Sequence, residues 1–370
     1  MKLERILITC GGTGGHFYPG LAIARAMQKQ NGKVLLVLSG INAHAQCEIA
    51  RQQDIPAVEL PAMPHPFSAP WGFFRGMTSG FFSSCREIRR FRPQAVLGMG
   101  SFASIPPVLA TWILRVPLFL HDGNAKVGKA NRWFSLLAKA LGTGFPPINS
   151  SRIKCRTVHV GMPIRQSLLD AAEKTDKKQA IEELNRRYQT DLSADVPTIL
   201  IFGGSQGAAA FNAALPEALL QLNRNDLQVL HLTGKGKLDS TLSIYKDAAF
   251  KKLVVDSSEQ MELFWLAADM VFSRSGGSSI AELALFGRPA VLVPYPFAAE
   301  NHQKANAQYF SNSGAGLIVD NFELTPDKGK ELLEDFLNNP AIWQERGNAA
   351  KRLAMPTAAE DMLDLIARSI

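Results

Sequence analysis

Short apolar runs, each closed by a glycine or a turn and followed by a helix-length segment, recur along this chain. The first spans Ile6 to Cys10, and others centre near Val34, Val58, Val96, Leu118 and Val158. A second series opens at Thr198–Phe202 and continues near Val229, Leu253, Met270 and Ala290. Helical segments lie between them, including 208–222, Met261–Ala267 and Ser278–Phe286. Apolar runs without polar alternation suit strands buried on both faces, and their alternation with helices makes the sheets parallel. The pattern predicts an α/β fold of two doubly wound, Rossmann-like domains facing across a cleft.

Breaks in the pattern place the boundaries. Gly161 and Pro163, inside Val160-Gly-Met-Pro-Ile-Arg165, mark a rigid interdomain turn. A charged helix from Lys174 to Tyr188 and a polar segment from Gln189 to Pro197 lead into the second series. The expected domains are therefore 1–163 and 164–347. Residues 348–370 form a helical tail, kinked at Pro356, that crosses back to the first domain. The stretch from Ala95 to Leu114 is uncharged and nearly long enough to span a bilayer. Gly98, Gly100 and Pro106-Pro107 interrupt it, so it reads as a buried strand, a glycine loop and a helix, with a further strand at Leu118–Leu120.

Charge changes the picture. Residues 1–163 hold 19 Lys/Arg against 6 Asp/Glu, a net of +13, whereas the rest of the chain is net −6. A basic half suits nucleic acid, an anionic membrane surface or a phosphorylated substrate. No nucleic-acid-binding module is present, which leaves the other two. Cys10, Cys47, Cys85 and Cys155 are scattered without ligand spacing and read as reduced thiols in a cytosolic protein. The first residues lack the layout of a signal peptide.

The candidate chemistry lies where strands meet glycines. Ile6–Cys10 runs into Gly-Gly-Thr-Gly-Gly-His16, with Pro19 in the helix that follows. Glycines there let backbone N–H groups converge on an anion, and the helix adds the positive end of its dipole. The dinucleotide fingerprint does not fit, because Phe17 takes its last glycine position. A matching loop, Gly203-Gly-Ser-Gln-Gly-Ala208, follows the Thr198 strand about 190 residues later. A third, Phe272-Ser-Arg-Ser-Gly-Gly-Ser-Ser-Ile-Ala-Glu282, presents Ser278 and Ser279 at a helix start suited to a diphosphate. Glu282 is either a capping carboxylate or the acceptor for a ribose diol. His302, Gln303 and Asn306 are either a solvated helix start or hydrogen-bonding groups for a neutral sugar. No Asp-x-Asp pair is present to hold a divalent metal, so no metal or other cofactor is expected.

Seven motifs in order along nearly the whole chain resemble the MurG family of GT-B glycosyltransferases. They are GGTGGH at Gly11, VLGMGSFASIP at Val96, LHDGN at Leu120, VGMPIR at Val160, FGGSQGA at Phe202, RSGGSSIAE at Arg274 and HQKANA at His302. The resemblance implies transfer of N-acetylglucosamine (GlcNAc) from UDP-GlcNAc to lipid I, an undecaprenyl-pyrophosphoryl-MurNAc-pentapeptide, giving lipid II for peptidoglycan. It implies donor contacts at Thr13, Gly14, Gly15 and Asn124, and diphosphate and nucleotide contacts at Arg165 and Ser205. Ser258 falls where the family's backbone meets uracil. Gly277, Ser278, Ser279, Ile280, Ala281 and Glu282 match the diphosphate and ribose site, and Gln303 matches a sugar-hydroxyl contact. Two motifs depart from the family: His121-Asp122-Gly123-Asn124 stands for His-Glu-Gln-Asn, and Gly100-Ser101-Phe102-Ala103-Ser104 for Gly-Gly-Tyr-(Val/Ala)-Ser.

The implied reaction is an inverting displacement. His16 is the candidate general base, with Asp122 as the alternative. Aromatics and arginines in His65–Arg75, then Phe81, Phe82, Arg86, Arg89 and Arg90, suggest a peripheral membrane face, with Trp112, Arg115 and Lys139 beside it. The expected location is the cytoplasmic face of the cell membrane, with partners among cell-wall synthesis and division proteins. Rival readings are another UDP-sugar-dependent GT-B glycolipid glycosyltransferase, a UDP-GlcNAc 2-epimerase, and a non-catalytic scaffold.

Overall fold

The computed structural model describes residues 2–12, 14–61, 70–204 and 206–370. The chain divides into two compact units, residues 1–166 with 355–370, and residues 167–354. The first unit holds seven strands: β1 (Arg5–Gly11), β2 (Lys33–Ser39), β3 (Ala57–Glu59), β4 (Ala95–Gly98), β5 (Leu118–Asp122), β6 (Ala140–Thr143) and β7 (Arg156–His159). They form one parallel sheet in the order β3-β2-β1-β4-β5-β6-β7. The second unit has β8 (Thr198–Phe202), β9 (Gln228–Leu232), β10 (Lys251–Val255), β11 (Met270–Ser273), β12 (Ala290–Leu292) and β13 (Gly316–Ile318), in the order β10-β9-β8-β11-β12-β13. Each sheet starts at its centre, grows outward one way, then reverses. The reversal opens a crevice at the carboxyl ends, between β1 and β4 in one unit and between β8 and β11 in the other.

The pleat explains why the strands read as continuous apolar runs. Ile6, Ile8 and Cys10 of β1 face one core with Phe17, Leu21 and Met27, while Leu7 faces another with Cys85, Ile88 and Val108. Both faces are covered, so alternation has no polar side to show. The Ala95–Leu114 stretch becomes β4, a 3-10 turn at Phe102–Ser104 and the helix Ile105–Ile113, on which the helix Pro70–Phe91 packs. Among the described residues no helix is long and apolar enough to cross a membrane.

Two strands escape the sequence pattern. β6 reads Ala-Leu-Gly-Thr and β13 reads Gly-Leu-Ile, both short and containing glycine, a poor strand former. Their sheet neighbours hold them. The segment from Lys174 to Tyr188 is not one helix: Gln166–Lys174 ends, and Asp176 caps Lys177–Tyr188 through a reciprocal box with Gln179. The helix Pro340–Arg352 belongs wholly to the second unit, so the boundary at 347/348 falls inside it. Only the final helix, Ala358–Ala367, joins the first unit, where Met362, Leu363 and Ile366 complete the core around Phe17 and Met27.

Candidate active site

In the first unit the loop after β1 is bound tightly to β2. Gly11 and Gly12 have φ of 135° and 81°, and a Cβ on Gly11 would strike the Ser39 carbonyl. Gly12 N–H donates to that carbonyl at 3.1 Å, and its own carbonyl accepts from Asn42 Nδ2 at 2.9 Å and Gln46 Nε2 at 3.3 Å. Gly14 and Gly15 open the helix Gly14–Lys29 and stay exposed. Thr13, between these glycines, lies outside the described residues, as do Ser205 and the His65–Ala69 part of the aromatic segment.

His16, half-buried in the first turn of that helix, pairs through Nδ1 with the Met99 carbonyl of the loop after β4, at 3.0 Å. A carbonyl only accepts, so Nδ1 carries a proton, and in the neutral imidazole the lone pair is then on Nε2. The two loops of the crevice thus set the tautomer of the candidate base. Arg165 places its guanidinium 4.9 Å from the centre of the Tyr18 ring, which joins it to the same helix two residues beyond His16.

Asp122 has another task. Its Oδ1 accepts from Asn124 N at 3.1 Å and Asn124 Nδ2 at 3.4 Å, and its Oδ2 accepts from Gly128 N at 2.9 Å and Asn131 Nδ2 at 3.0 Å. Four donors fill the roughly four lone-pair sites of a carboxylate. Asp122 is therefore occupied in fastening the loop 123–128 to the start of the helix Lys129–Phe134, which sets Asn124 at the end of β5. The adjacent His121 is buried and donates through Nε2 to the Gly161 carbonyl at 3.0 Å. Burial holds its pKa below the ordinary histidine value.

In the second unit the loop after β11 leads straight into the helix Gly277–Phe286. Gly277, Ser278 and Ser279 line its first turn, half-buried, with their backbone N–H groups at the positive end of the dipole. Ile280 turns inward to the core, and Ala281 is half-buried. Glu282 is the sixth residue of the helix, too far in to cap it. Its Oε2 instead accepts from Trp265 Nε1 at 2.9 Å. Trp265 belongs to the helix Met261–Ala267, and just before that helix Ser258 Oγ accepts from Gln260 N at 3.1 Å and from the Tyr188 hydroxyl at 3.4 Å. One short helix links the expected uracil and ribose positions.

The Gln303 motif is tied to the same loop. Ser275 Oγ donates to the Gln303 carbonyl at 2.8 Å, and Asn306 Nδ2 donates to the Ser275 carbonyl at 2.9 Å. Gln303 Oε1 accepts from Tyr295 N at 2.9 Å, which leaves the side-chain NH2 as its donating end. Asn306 is fully buried, so it is a fastener here and not a sugar contact. Sequence reasoning passed over Arg274, which lies between the rings of Phe211 and Tyr295 at 5.0 and 5.7 Å and donates to the carbonyls of Val293 and Pro294. It stands inside a motif already singled out. Trp265 gave no signal, because an indole in an apolar helix reads as core.

The helix Pro70–Phe91 carries an exposed stripe. Trp71, Arg75, Thr78, Phe82, Arg86 and Arg89 follow one another at three- and four-residue steps, and all are exposed. Trp71 is 87% exposed and Phe82 68%, while Phe81, Cys85 and Ile88 pack inward. Trp112, Ile113, Trp133 and Leu136 add further exposed apolar surface in the same unit.

Comparison with known proteins agrees with the motifs. The profile described as the glycosyltransferase family 28 N-terminal domain matches residues 6–143, and that of the family 28 C-terminal domain matches residues 198–362. Two similar relatives, from Protochlamydia amoebophila and Alkalilimnicola ehrlichii, are each named UDP-N-acetylglucosamine--N-acetylmuramyl-(pentapeptide) pyrophosphoryl-undecaprenol N-acetylglucosamine transferase. The first is 35% identical over 83% of this chain and 80% of its own length, the second 33% identical over 96% of each. The crystal structure of Acinetobacter baumannii MurG superimposes with a TM-score of 0.76 at 28% identity, covering 99% of both chains. A UDP-GlcNAc 2-epimerase from Neisseria meningitidis reaches a TM-score of 0.73 at 13% identity, a likeness of fold alone.

Proposed function

This chain belongs to glycosyltransferase family 28, and from that premise we propose that it is the MurG-type enzyme that transfers GlcNAc from UDP-GlcNAc to the muramyl 4-hydroxyl of lipid I, releasing UDP and forming lipid II. The observation that carries the chemistry is the fixed tautomer of His16, whose Nδ1–H is held by Met99 and whose Nε2 is left to take a proton. The acceptor hydroxyl attacks the anomeric carbon from the face opposite the diphosphate. Its proton passes to Nε2, the bond to the UDP oxygen breaks, and the configuration inverts.

The departing charge meets the N–H groups at the start of the helix Gly277–Phe286, the hydroxyls of Ser278 and Ser279, Ser205 and the Arg165 guanidinium. Glu282, its carboxylate oriented by Trp265, accepts from the ribose hydroxyls. The backbone at Ser258 meets uracil, Gln303 donates to a GlcNAc hydroxyl, and Thr13, Gly14, Gly15 and Asn124 complete the donor contacts. The firm tie between Asp122 and its own loop favours His16 over Asp122 as base.

A lipid-linked acceptor requires a protein that reaches a membrane. The exposed stripe from Trp71 to Arg89 supports peripheral attachment to anionic lipid at the cytoplasmic face, aromatics entering the interface and arginines meeting headgroups. Cell-wall synthesis and division proteins would be its neighbours there. Incubation of the pure protein with labelled UDP-GlcNAc and a short-chain lipid I analogue tests the reading. Label is expected in the lipid product, with UDP released in equal amount. Conversion of UDP-GlcNAc without an acceptor points instead to an epimerase, and transfer only to other glycolipids points to the neighbouring transferases.

A further inference from the structure

Beneath the β8 loop runs a buried polar chain with no part in the chemistry above. His231, near the end of β9, lies 3.0 Å from the Tyr245 hydroxyl through Nδ1 and 3.0 Å from Asn212 Oδ1 through Nε2. Asn212 Nδ2 donates to the Thr233 carbonyl at 2.9 Å. His231, Tyr245 and Thr233 have no exposed surface, and Asn212 keeps 9%. Tyr245 and its neighbours Phe211 and Leu215 belong to the apolar core of the second unit.

Every role in the chain is forced. The Thr233 carbonyl only accepts, so Asn212 turns its NH2 toward it and its oxygen toward His231. That oxygen accepts, so Nε2 carries the histidine proton and Nδ1 accepts from the tyrosine hydroxyl. Burial keeps the ring neutral, its pKa pushed down to about 3. The chain ends on the loop itself. A Cβ on Gly207 would strike the Thr233 carbonyl, and one on Gly234 would come within 2.5 Å of Gln206 O and Gly207 N. Gly207 N–H closes the turn on the Gly204 carbonyl at 2.9 Å, and Lys237 Nζ holds the Gln206 carbonyl at 2.7 Å. With no space between the segments, any shift of the Thr233 carbonyl passes to Gln206 and Gly207.

We propose that His231 is a positioning residue for the donor site, acting through Asn212 and the Thr233 carbonyl to set the glycine turn after β8. An asparagine amide has nearly the same shape either way round. The Thr233 carbonyl fixes its NH2 end, and the proton on His231 Nε2 fixes its oxygen end. Without that proton the amide oxygen has no donor, Asn212 loses one of its two anchors, and the Thr233 carbonyl and the residues packed on it, Gln206 and Gly207, lose their fixed seat in the turn that the proposed function assigns to nucleotide contact. The inference rests on that assignment.

The test compares His231→Leu with His231→Gln in the full-length protein. Glutamine can donate to Asn212 and accept from Tyr245; leucine can do neither. Leucine is expected to raise the Kd for UDP and the KM for UDP-GlcNAc about tenfold, the lower end of what losing an outer-shell partner does at metal sites. Its kcat stays within about threefold of wild type, a change of less than 0.7 kcal/mol, and glutamine restores most of the affinity. A leucine variant with lowered Tm but unchanged KM makes the network a packing feature and overturns the inference. Equal defects in both variants overturn it too. If the leucine variant fails to fold, Tyr245→Phe, which removes one hydroxyl, carries the test with an expected rise of about threefold, near the loss of one ordinary hydrogen bond; no rise overturns it. A wild-type protein that does not bind UDP removes the donor-site assignment itself, a failure separate from that of the variants.

Discussion

The two units solve the same folding problem and differ in what they place at the solution. Each is a parallel sheet whose strand order reverses beside its first strand, with a glycine turn at that point. In the first unit the turn runs into His16, and that unit is rich in basic residues and carries exposed aromatics. In the second the corresponding crevice is built from hydroxyls, an oriented carboxylate and amides stitched to one another through Ser275, Gln303 and Asn306. Topology fixes where a ligand can bind. On the proposed function, the side chains on the first turns decide whether that place moves a proton or grips a nucleotide.

Changing His16→Ala tests the first half of the comparison most severely. Turnover is expected to fall by about 100-fold or more, as for loss of a general base, with UDP affinity unchanged by calorimetry. A folded variant with normal kcat would move the base elsewhere.

The charge asymmetry predicts the next effect. Replacing Arg75, Arg86 and Arg89 together by Glu removes on the order of 1 kcal/mol of attraction per arginine near an anionic surface. Flotation with anionic vesicles at low salt should then recover little protein, while UDP binding persists. Wild-type binding should also weaken as salt is raised. Equal flotation of both proteins would place the membrane face elsewhere.

In the second unit, Glu282→Ala should weaken UDP binding by about 1.5–3 kcal/mol, typical of hydrogen bonds to a charged group, with no comparable loss of vesicle binding. Unaltered UDP affinity would reduce Glu282 to the partner of the Trp265 indole.

The smallest effect on turnover is expected at Asp122. Asp122→Asn presents an NH2 to N–H donors, so its cost should appear as about 1–3 kcal/mol of stability, the penalty for unsatisfied buried groups, and as only a few-fold loss of kcat. A drop as deep as that of His16→Ala, with Tm intact, would restore Asp122 as the base and erase the contrast drawn within the first unit.

Much of this was legible in the chain. Continuous apolar runs closed by glycine require strands covered on both faces, and that requirement yields the two parallel sheets without any contact being known. The glycine turns and the order of the motifs marked His16, Glu282 and Gln303 because backbone conformation and local spacing are properties of neighbouring residues. What escaped depends on residues far apart in sequence. β6 and β13 are strands because of what flanks them, not because Ala-Leu-Gly-Thr or Gly-Leu-Ile prefers to be extended. Asp122 and Asp176 are both short carboxylates beside helical segments, yet one gathers a loop and the helix residue Asn131 beyond it, and the other caps the helix it precedes. The His16 tautomer is set by a carbonyl 83 residues away, and the face of Glu282 by an indole 17 residues back. Sequence determines which groups are available and which backbone turns they ride on. Only tertiary structure decides which lone pair is spent on the protein and which remains for a substrate, because hydrogen bonds are settled by proximity in space.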